Sequence, residues 1–346
     1  MTDRRTPRRT ALVAAGAVAL IAIGSAPARA ADLPPLKNGH NITVGEVFGP
    51  EKLGLSRTYE ITMTDPNADG RVTFLGQLAV RVTLPEDYLT SSKTYPTLYL
   101  LHGHGGTEQQ WTGAPGDAEK IAAGKGVILV SIEGGKAGWF TNWVDQSAGA
   151  QNWEKYHVDD LIPWIDENFR TKPDKAHRAI AGLSMGGYGA LHYAFKHPNL
   201  FNHVSSYSGG VDLEDQAIRT AVTGSLVQEG LPALGAFGNP IWPFDTVWKS
   251  ENPVRHADQL RGVGISLYAG DGLGTTDPVS AVIERGAGNA TNTLAGRLTA
   301  LGIPHYWEMY GHNVSYGGYT CDGGHNQGCW NMALAKDIGK IMADIS

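Results

Sequence analysis

The stretch from Arg178 to Lys196 constrains this chain more than any other. Arg178–Leu183 is a short apolar run of strand character, and the residues from Met185 onward carry a helical pattern to about Lys196. Between them lies Gly182-Leu183-Ser184-Met185-Gly186, a G-x-S-x-G turn. A serine on a one-residue turn between strand and helix sits in a strained backbone conformation. Only small residues two positions to either side let the chain pass that closely. Such a turn lifts the serine oxygen clear of a sheet edge, above a helix N-terminus that favours developing negative charge. The alternative is an idle serine in a glycine-rich turn, and the strand–turn–helix setting favours a nucleophile.

The rest of the chain fits a sheet around that turn. Ser56–Thr64 and Leu75–Leu84 alternate and are rich in β-branched residues, with a turn-rich tip at Asp65–Gly70, which predicts an antiparallel hairpin. Tyr95–Leu101, Gly126–Ile132, Ala179–Leu183, His203–Ser206, Gly264–Ala269 and His305–Tyr310 are short apolar runs at wide spacing. Helical patterns at Gly116–Ala123, Trp153–Phe169, Met185–Lys196, Asn289–Leu301 and Trp330–Ile345 fill most gaps. Strands alternating with helices predict an α/β fold, a mostly parallel doubly wound sheet with the N-terminal hairpin at one edge. Gly209–Arg261 breaks the rhythm. Rich in Gly, Pro and aromatics, it reads either as a packed surface excursion or as a wall of a cleft.

Residues 1–30 read as a secretory signal peptide. Arg4, Arg5, Arg8 and Arg9 precede the small-apolar run Ala11–Ile23, and Ala28-Arg29-Ala30 matches a cleavage site. The run is too short for a bilayer span of about 20 residues. Arg8-Arg9 with Leu12 partly matches a twin-arginine signal. Removing this segment changes the formal net charge from −6 to −10. An acidic secreted chain without basic runs speaks against nucleic acid and anionic membrane surfaces as partners. Residues 31–54 read as a surface leader and 55–346 as one catalytic domain. Cys321 and Cys329, eight apart, pair as a disulfide in an oxidising compartment, and two thiols alone make a thin metal ligand set.

A serine nucleophile needs a base, an acid to orient it and donors for the oxyanion. In the doubly wound hydrolase order of serine, acid, histidine, the base comes from His305, His312 or His325. His325 is favoured because it lies midway between the two cysteines, with His312 in reserve. For the acid, Asp277 leads, and Asp271 and Glu284 are alternates in the segment after the strand Gly264–Ala269. The Met185 N–H and the His104 N–H, the latter in His102-Gly103-His104-Gly105-Gly106, are the expected oxyanion donors. Trp139, Phe140, Trp143 and Trp248 are candidates to line the substrate cleft.

With these residues in place, the chain resembles the putative-esterase family of α/β-hydrolases from about Ser56 onward. That family includes S-formylglutathione hydrolases, feruloyl-esterase-type domains and the secreted mycolyltransferases of the antigen 85 group. The resemblance is carried by Leu98–Leu101 with His102-Gly103, by Gly134-Gly135 through Trp143, and by Leu161-Ile162-Pro163. Gly182–Gly186, Asn252-Pro253, Gly311-His312-Asn313 and the spacing of His325 to Trp330 complete it. It implies Ser184 as nucleophile, an acid at or near Asp277, His325 as base, and His104 and Met185 as oxyanion donors. The mycolyltransferases carry a glutamate as acid, whereas this loop offers aspartates. The arginine and tryptophan expected for trehalose recognition are absent from Gly105-Gly106 and the tail.

The expected activity is therefore a secreted esterase or acyltransferase acting on small-molecule or lipid esters, with no metal or organic cofactor required. Acyl transfer to a sugar or glycerol hydroxyl is one alternative. A non-catalytic cell-wall-binding protein on the same fold is another.

Overall fold

The apolar run leading into Ser184 is a central strand, hydrogen-bonded in parallel on both sides. The computed structural model describes residues 32–53 and 56–346, so the signal-peptide reading of residues 1–30 lies outside the described residues. Among the described residues, one sheet of nine strands has the order β1-β2-β3-β5-β4-β6-β7-β8-β9. The strands are β1 (Thr43–Leu53), β2 (Ser56–Thr64), β3 (Leu78–Leu84), β4 (Thr97–Leu101) and β5 (Ile128–Ile132), then β6 (Arg178–Leu183), β7 (His203–Tyr207), β8 (Gly264–Gly270) and β9 (Tyr306–Tyr310). From β5 to β9 every pairing is parallel, while β1, β2 and β3 join antiparallel at the other edge.

The expected hairpin is present, with β3 starting at Leu78 rather than Leu75. The surface leader expected at residues 31–54 is corrected in part. Its second half is β1, which pairs with β2 from Thr43↔Thr64 to Leu53↔Ser56 and covers what would be an open edge.

Side-chain alternation divides the core in two. Along β4, Tyr99 and Leu101 point into one layer, while Leu98 and Leu100 point into the other. Ile180 and Ala181 of β6 divide in the same way. The helices are α1 (Ala118–Ile121), α2 (Trp153–Lys155), α3 (Ile162–Asn168), α4 (Met185–Lys196), α5 (Gln216–Gln228), α6 (Thr246–Ser250), α7 (Pro278–Ala300) and α8 (Gln327–Ile345). Trp164 and Ile165 of α3, Leu191 of α4 and Leu294 of α7 cover the first layer; Ala118 of α1 and Ile338 and Ile341 of α8 cover the second. A π-helical turn, Tyr156–Leu161, joins α2 to α3. Among the described residues no helix is long and apolar enough to cross a membrane.

The Gly209–Arg261 excursion is largely packed. Ile218, Val222, Phe237 and Trp248 are buried, whereas Ile241, Trp242 and Phe244 stand in solvent.

One polar cluster holds α8 to the sheet. The fully buried Asp337 carboxylate accepts hydrogen bonds from Ser205 Oγ (2.6 Å), Tyr207 OH (2.9 Å) and Tyr268 OH (3.3 Å). Removing the acceptor leaves three buried hydroxyls without it, at roughly 1–3 kcal/mol for each left unsatisfied. Asp337→Ala should therefore lower the unfolding free energy by at least ~3 kcal/mol, as read by urea denaturation.

Candidate active site

Ser184 occupies the left-handed half of backbone space, with φ 52° and ψ −117°. Packing enforces this strained geometry. A side chain on Gly182 would overlap the Gly186 carbonyl, and one on Gly186 would overlap the carbonyls of Leu101 and His102 at the end of β4. The two glycines of the motif are thus a requirement of close backbone approach. The Ser184 N–H donates to the Tyr207 carbonyl (2.8 Å), which fastens the turn to β7.

His325 lies opposite, between β11 (Tyr319–Cys321) and α8, where β11 pairs with β10 (Val314–Tyr316) in a small separate sheet. Ser184 Oγ is 2.8 Å from His325 Nε2. His325 Nδ1 is 2.6 Å from Glu284 Oε2. Since an ionised carboxylate only accepts, Nδ1 carries the proton and Nε2 is left to accept from the serine hydroxyl.

Four constraints fix the imidazole. Cys321 and Cys329 form a disulfide around its loop, and both are fully buried. The His325 N–H donates to Ser280 Oγ (2.7 Å). Asp322 Oδ1 accepts from Gly324 N (2.9 Å) and Asn326 Nδ2 (2.7 Å). The ring meets Trp330 edge-on, 5.0 Å between centroids.

Glu284 is itself held. Its Oε1 accepts from Ser208 Oγ (2.8 Å) and from the Gly270 N–H, and Ser208 Oγ accepts from Trp330 Nε1 (3.1 Å). The carboxylate has no solvent exposure. Ser280 and Glu284, four apart on α7, therefore present one helix face to the histidine loop.

Asp277, the leading sequence candidate for the acid, is elsewhere. It is the N-cap of α7, where Oδ1 accepts from Val279 N (2.9 Å), with Pro278 beginning the helix. Asp271 accepts from Leu273 N (3.0 Å) and faces His312 Nδ1 at 3.1 Å, so this second pair stands apart from Ser184. Glu284, one of the two alternates, makes the contact because α7 starts eleven residues before the Asn289 expected from its pattern. The Asp277-Pro278 step was the available signal, an N-cap followed by an N1 proline. No local motif marks Ser208 or Ser280, and Trp330 enters the sequence reading of the site only through its spacing to His325.

The aromatic candidates for the cleft are corrected too. Trp139, Phe140, Trp143 and Trp248 are 5, 0, 4 and 0% exposed. Trp139 Nε1 donates to Ser225 Oγ, Trp143 Nε1 to the Gly138 carbonyl and Trp248 Nε1 to the Gly238 carbonyl. Phe140 fills the space left by Gly134 and Gly189. They are packing behind the Ser184 turn.

The His102–Gly106 loop runs against Ser184, since a Cβ on Gly103 would lie 3.3 Å from Ser184 Cβ. His104 follows directly, and its side chain meets Glu229 Oε1 at 3.0 Å, next to the end of α5. His102 Nδ1–H donates to the Gly103 carbonyl (2.7 Å), and its Nε2 accepts from Gly134 N (2.8 Å), which fixes a neutral tautomer. Behind this loop Glu108 and Glu133 are both buried. Burial, reinforced by the charges of Glu133 and Glu60, pushes the Glu108 carboxyl up to about 8.

A sheet wound in this way, with a serine on the turn after its central strand, defines the α/β-hydrolase fold. The chain belongs to the family described as "Putative esterase", whose model matches residues 73–341. It is 40% identical over 236 residues to Esterase Rv1288 of Mycobacterium tuberculosis, an alignment covering 65% of this chain and 50% of that protein. The chain thus spans about half the length of that relative. Its fold is similar to the crystal structure of M. tuberculosis MPT51, with TM-score 0.63 and 23% identity, covering 78% of this chain and 94% of that one. It is also similar to an S-formylglutathione hydrolase from Agrobacterium tumefaciens, with TM-score 0.64 and 14% identity, covering 87% and 99%.

The raised Glu108 carboxyl has a consequence for stability. Between its ordinary value near 4.5 and about 8, the folded chain keeps a proton that the unfolded chain has lost. Its contribution is thus fully present below pH 4.5 and is lost as pH rises through 8. The midpoint temperature of Glu108→Gln, relative to wild type, should accordingly be higher at pH 8.5 than at pH 5.5 in thermal melts.

Proposed function

We infer that the chain is a secreted serine esterase or acyltransferase, acting on carboxylic esters through an acyl-serine intermediate. The observation that carries this reading is the run of contacts from Ser184 Oγ to His325 Nε2 (2.8 Å) and from His325 Nδ1 to Glu284 (2.6 Å). The strained turn aims the hydroxyl, and the buried carboxylate supports a proton arriving on the imidazole.

In the first step Ser184 Oγ bonds to the acyl carbonyl carbon, and its proton passes to His325 Nε2. The carbonyl oxygen becomes an oxyanion, for which the N–H groups of Met185 and His104 are the proposed donors. Met185 is the first residue of α4, so its N–H has no partner within the helix. Loss of one such donor typically costs on the order of 10²–10³ in turnover. The alkoxide then leaves with the proton from His325. In the second step water or an alcohol attacks the acyl-serine while His325 takes its proton, and collapse restores Ser184. Glu284 holds the productive tautomer throughout.

Two features extend the reading. Leu273, Val279, Val282 and Ile283 are exposed on the segment that also supplies Ser280 and Glu284, which gives the site an apolar flank suited to ester acyl chains. The buried disulfide fits an oxidising compartment, in line with the exported N-terminus expected from sequence.

A fluorophosphonate probe should label wild type at Ser184 and leave Ser184→Ala unlabelled, with loss of p-nitrophenyl ester turnover on the order of 10⁴-fold or more. Equal background rates in both proteins would instead favour the binding-protein reading. Running the assay across acyl lengths, with and without trehalose or glycerol, separates hydrolysis from transfer.

The acid is tested by a contrast. Glu284→Gln should lower kcat on the order of 10³–10⁴-fold with little change in KM. Asp277→Ala should keep kcat within about twofold and cost ~1 kcal/mol of stability through the lost cap. The reverse pattern would return the role to Asp277.

A further inference from the structure

The His102–Gly106 loop meets the Gly209–Arg261 excursion through one side-chain pair that the acyl-transfer steps do not use. His104 Nε2 lies 3.0 Å from Glu229 Oε1, and since an ionised carboxylate only accepts, Nε2 carries a proton. The two side chains are 24 and 13% exposed, so water screens the pair less than it would an ion pair standing in solvent.

The loop's backbone shows what this pair can do. Gly103 N–H donates to Gln110 Oε1 (2.9 Å), Gly105 N–H to the Lys136 carbonyl (3.3 Å) and Gly106 N–H to the Gly103 carbonyl (3.0 Å). Among the described residues the His104 N–H has no such partner, as a donor kept for a substrate oxygen requires. Its peptide is aimed from one end, where the Gly103 carbonyl also accepts from His102 Nδ1 (2.7 Å). Beyond it, Gly105 turns at φ 74° into open space, with nothing packed on it. His104 carries the only side chain between Gly103 and Gly106, so its ring is the one point by which the rest of the fold can grip this stretch.

Glu229 offers a firm grip. It caps the C-terminus of α5, where Leu231 N–H donates to the Leu226 carbonyl (2.9 Å), Gly230 N–H donates to the Val227 carbonyl (3.0 Å) and Gly230 takes φ 69°. These are the marks of a Schellman ending, which fixes the backbone of Glu229. A carboxylate at a helix C-terminus has the unfavourable sign for the helix dipole, so the helix itself gains nothing from it. The same turn carries Ser225, whose Oγ accepts from Trp139 Nε1 (3.0 Å), and the Trp139 N–H donates to Met185 Sδ (3.3 Å). Both proposed oxyanion donors are thus referenced to one helix end.

We infer that Glu229 is a positioning residue for the oxyanion, holding the His104 ring so that the His104 N–H stays aimed at the charge that develops on the acyl carbonyl oxygen. The inference rests on the acyl-serine reading above. A donor fixed in advance needs no reorganisation as the charge appears, so losing its anchor weakens the transition state more than the bound ester.

The test is p-nitrophenyl ester kinetics on Glu229→Ala, Glu229→Gln, His104→Ala and the Glu229→Ala/His104→Ala double variant, with Ser184→Ala alongside. Turnover is expressed per serine labelled to completion by a fluorophosphonate, so a misfolded fraction does not count as lost catalysis. Glu229→Ala should lose on the order of 10–10² in kcat with KM within about threefold of wild type. Glu229→Gln still offers Nε2–H an oxygen and should stay within about fivefold of wild type. His104→Ala keeps its backbone N–H but loses the ring, so it should match Glu229→Ala, and the double variant should be no slower than either. Wild-type kcat in Glu229→Ala, a rise in KM alone, or losses that multiply in the double variant would overturn the inference, and an inactive Ser184→Ala would then leave the acyl-serine reading standing. Wild-type turnover in Ser184→Ala would overturn both.

Discussion

The close approach of three backbone segments at the end of β6 is the constraint on which the site depends. Gly186 lies against the Leu101 and His102 carbonyls of β4, Gly182 lies against Gly186, and Gly103 lies against Ser184. No side chain fits at Gly182 or Gly186, and one at Gly103 would press on Leu183 and Ser184. A residue at φ 52° costs on the order of 1–3 kcal/mol when it is not glycine. Ser184 can hold that conformation only because the strand before it and the helix after it are fixed by the buried sheet. The sheet thus supplies rigidity, and the turn converts it into the direction of one hydroxyl.

The imidazole is delivered by a different route. Its loop has little regular structure, so covalent and side-chain links replace the sheet's hydrogen bonds. The disulfide sets the ends of the loop, Ser280 holds its backbone, and Trp330 limits the ring's rotation. Trp330 also donates to Ser208, which in turn donates to Glu284, so one indole constrains both His325 and Glu284. Ser280 and Glu284 belong to α7, and Cys329 and Trp330 to α8. The geometry at His325 therefore reports how those helices are placed on the sheet.

Much of this was legible in the sequence, for identifiable reasons. The inner parallel strands β4 to β7 are buried on both faces, so they carry little of the polar alternation of a half-exposed strand, and their spacing shows the strand–helix alternation directly. Ser184 was legible because steric crowding writes itself as glycine at fixed offsets. His325 was legible because the cysteines flank it. Glu284 is less legible because the glycines and β-branched residues of Pro278–Gly288 obscure a helical period, which leaves the aspartates after the strand more conspicuous. Trp139, Phe140, Trp143 and Trp248 were misplaced for another reason. An aromatic residue beside a glycine-rich loop fits a cleft wall and a packed core equally well in sequence. Only burial distinguishes them, and the glycines at 134, 189 and 235 are the spaces those rings fill. β1 was missed because glycines, a proline and two register shifts break its alternation.

A carboxylate on a helix is held differently from one on a loop. On a loop, Asp277 or Asp271 could follow small movements of the histidine, and the contact would be soft. Glu284 sits at the second turn of a 23-residue helix whose N-terminus is capped by Asp277 and whose body packs against β8. Its position is set by the sheet, as that of Ser184 is. Ser184 and Glu284 are therefore referenced to one rigid body, with His325 clasped between them. In that arrangement the aspartate first taken for the acid still serves the site, by fixing where the helix that carries Glu284 begins.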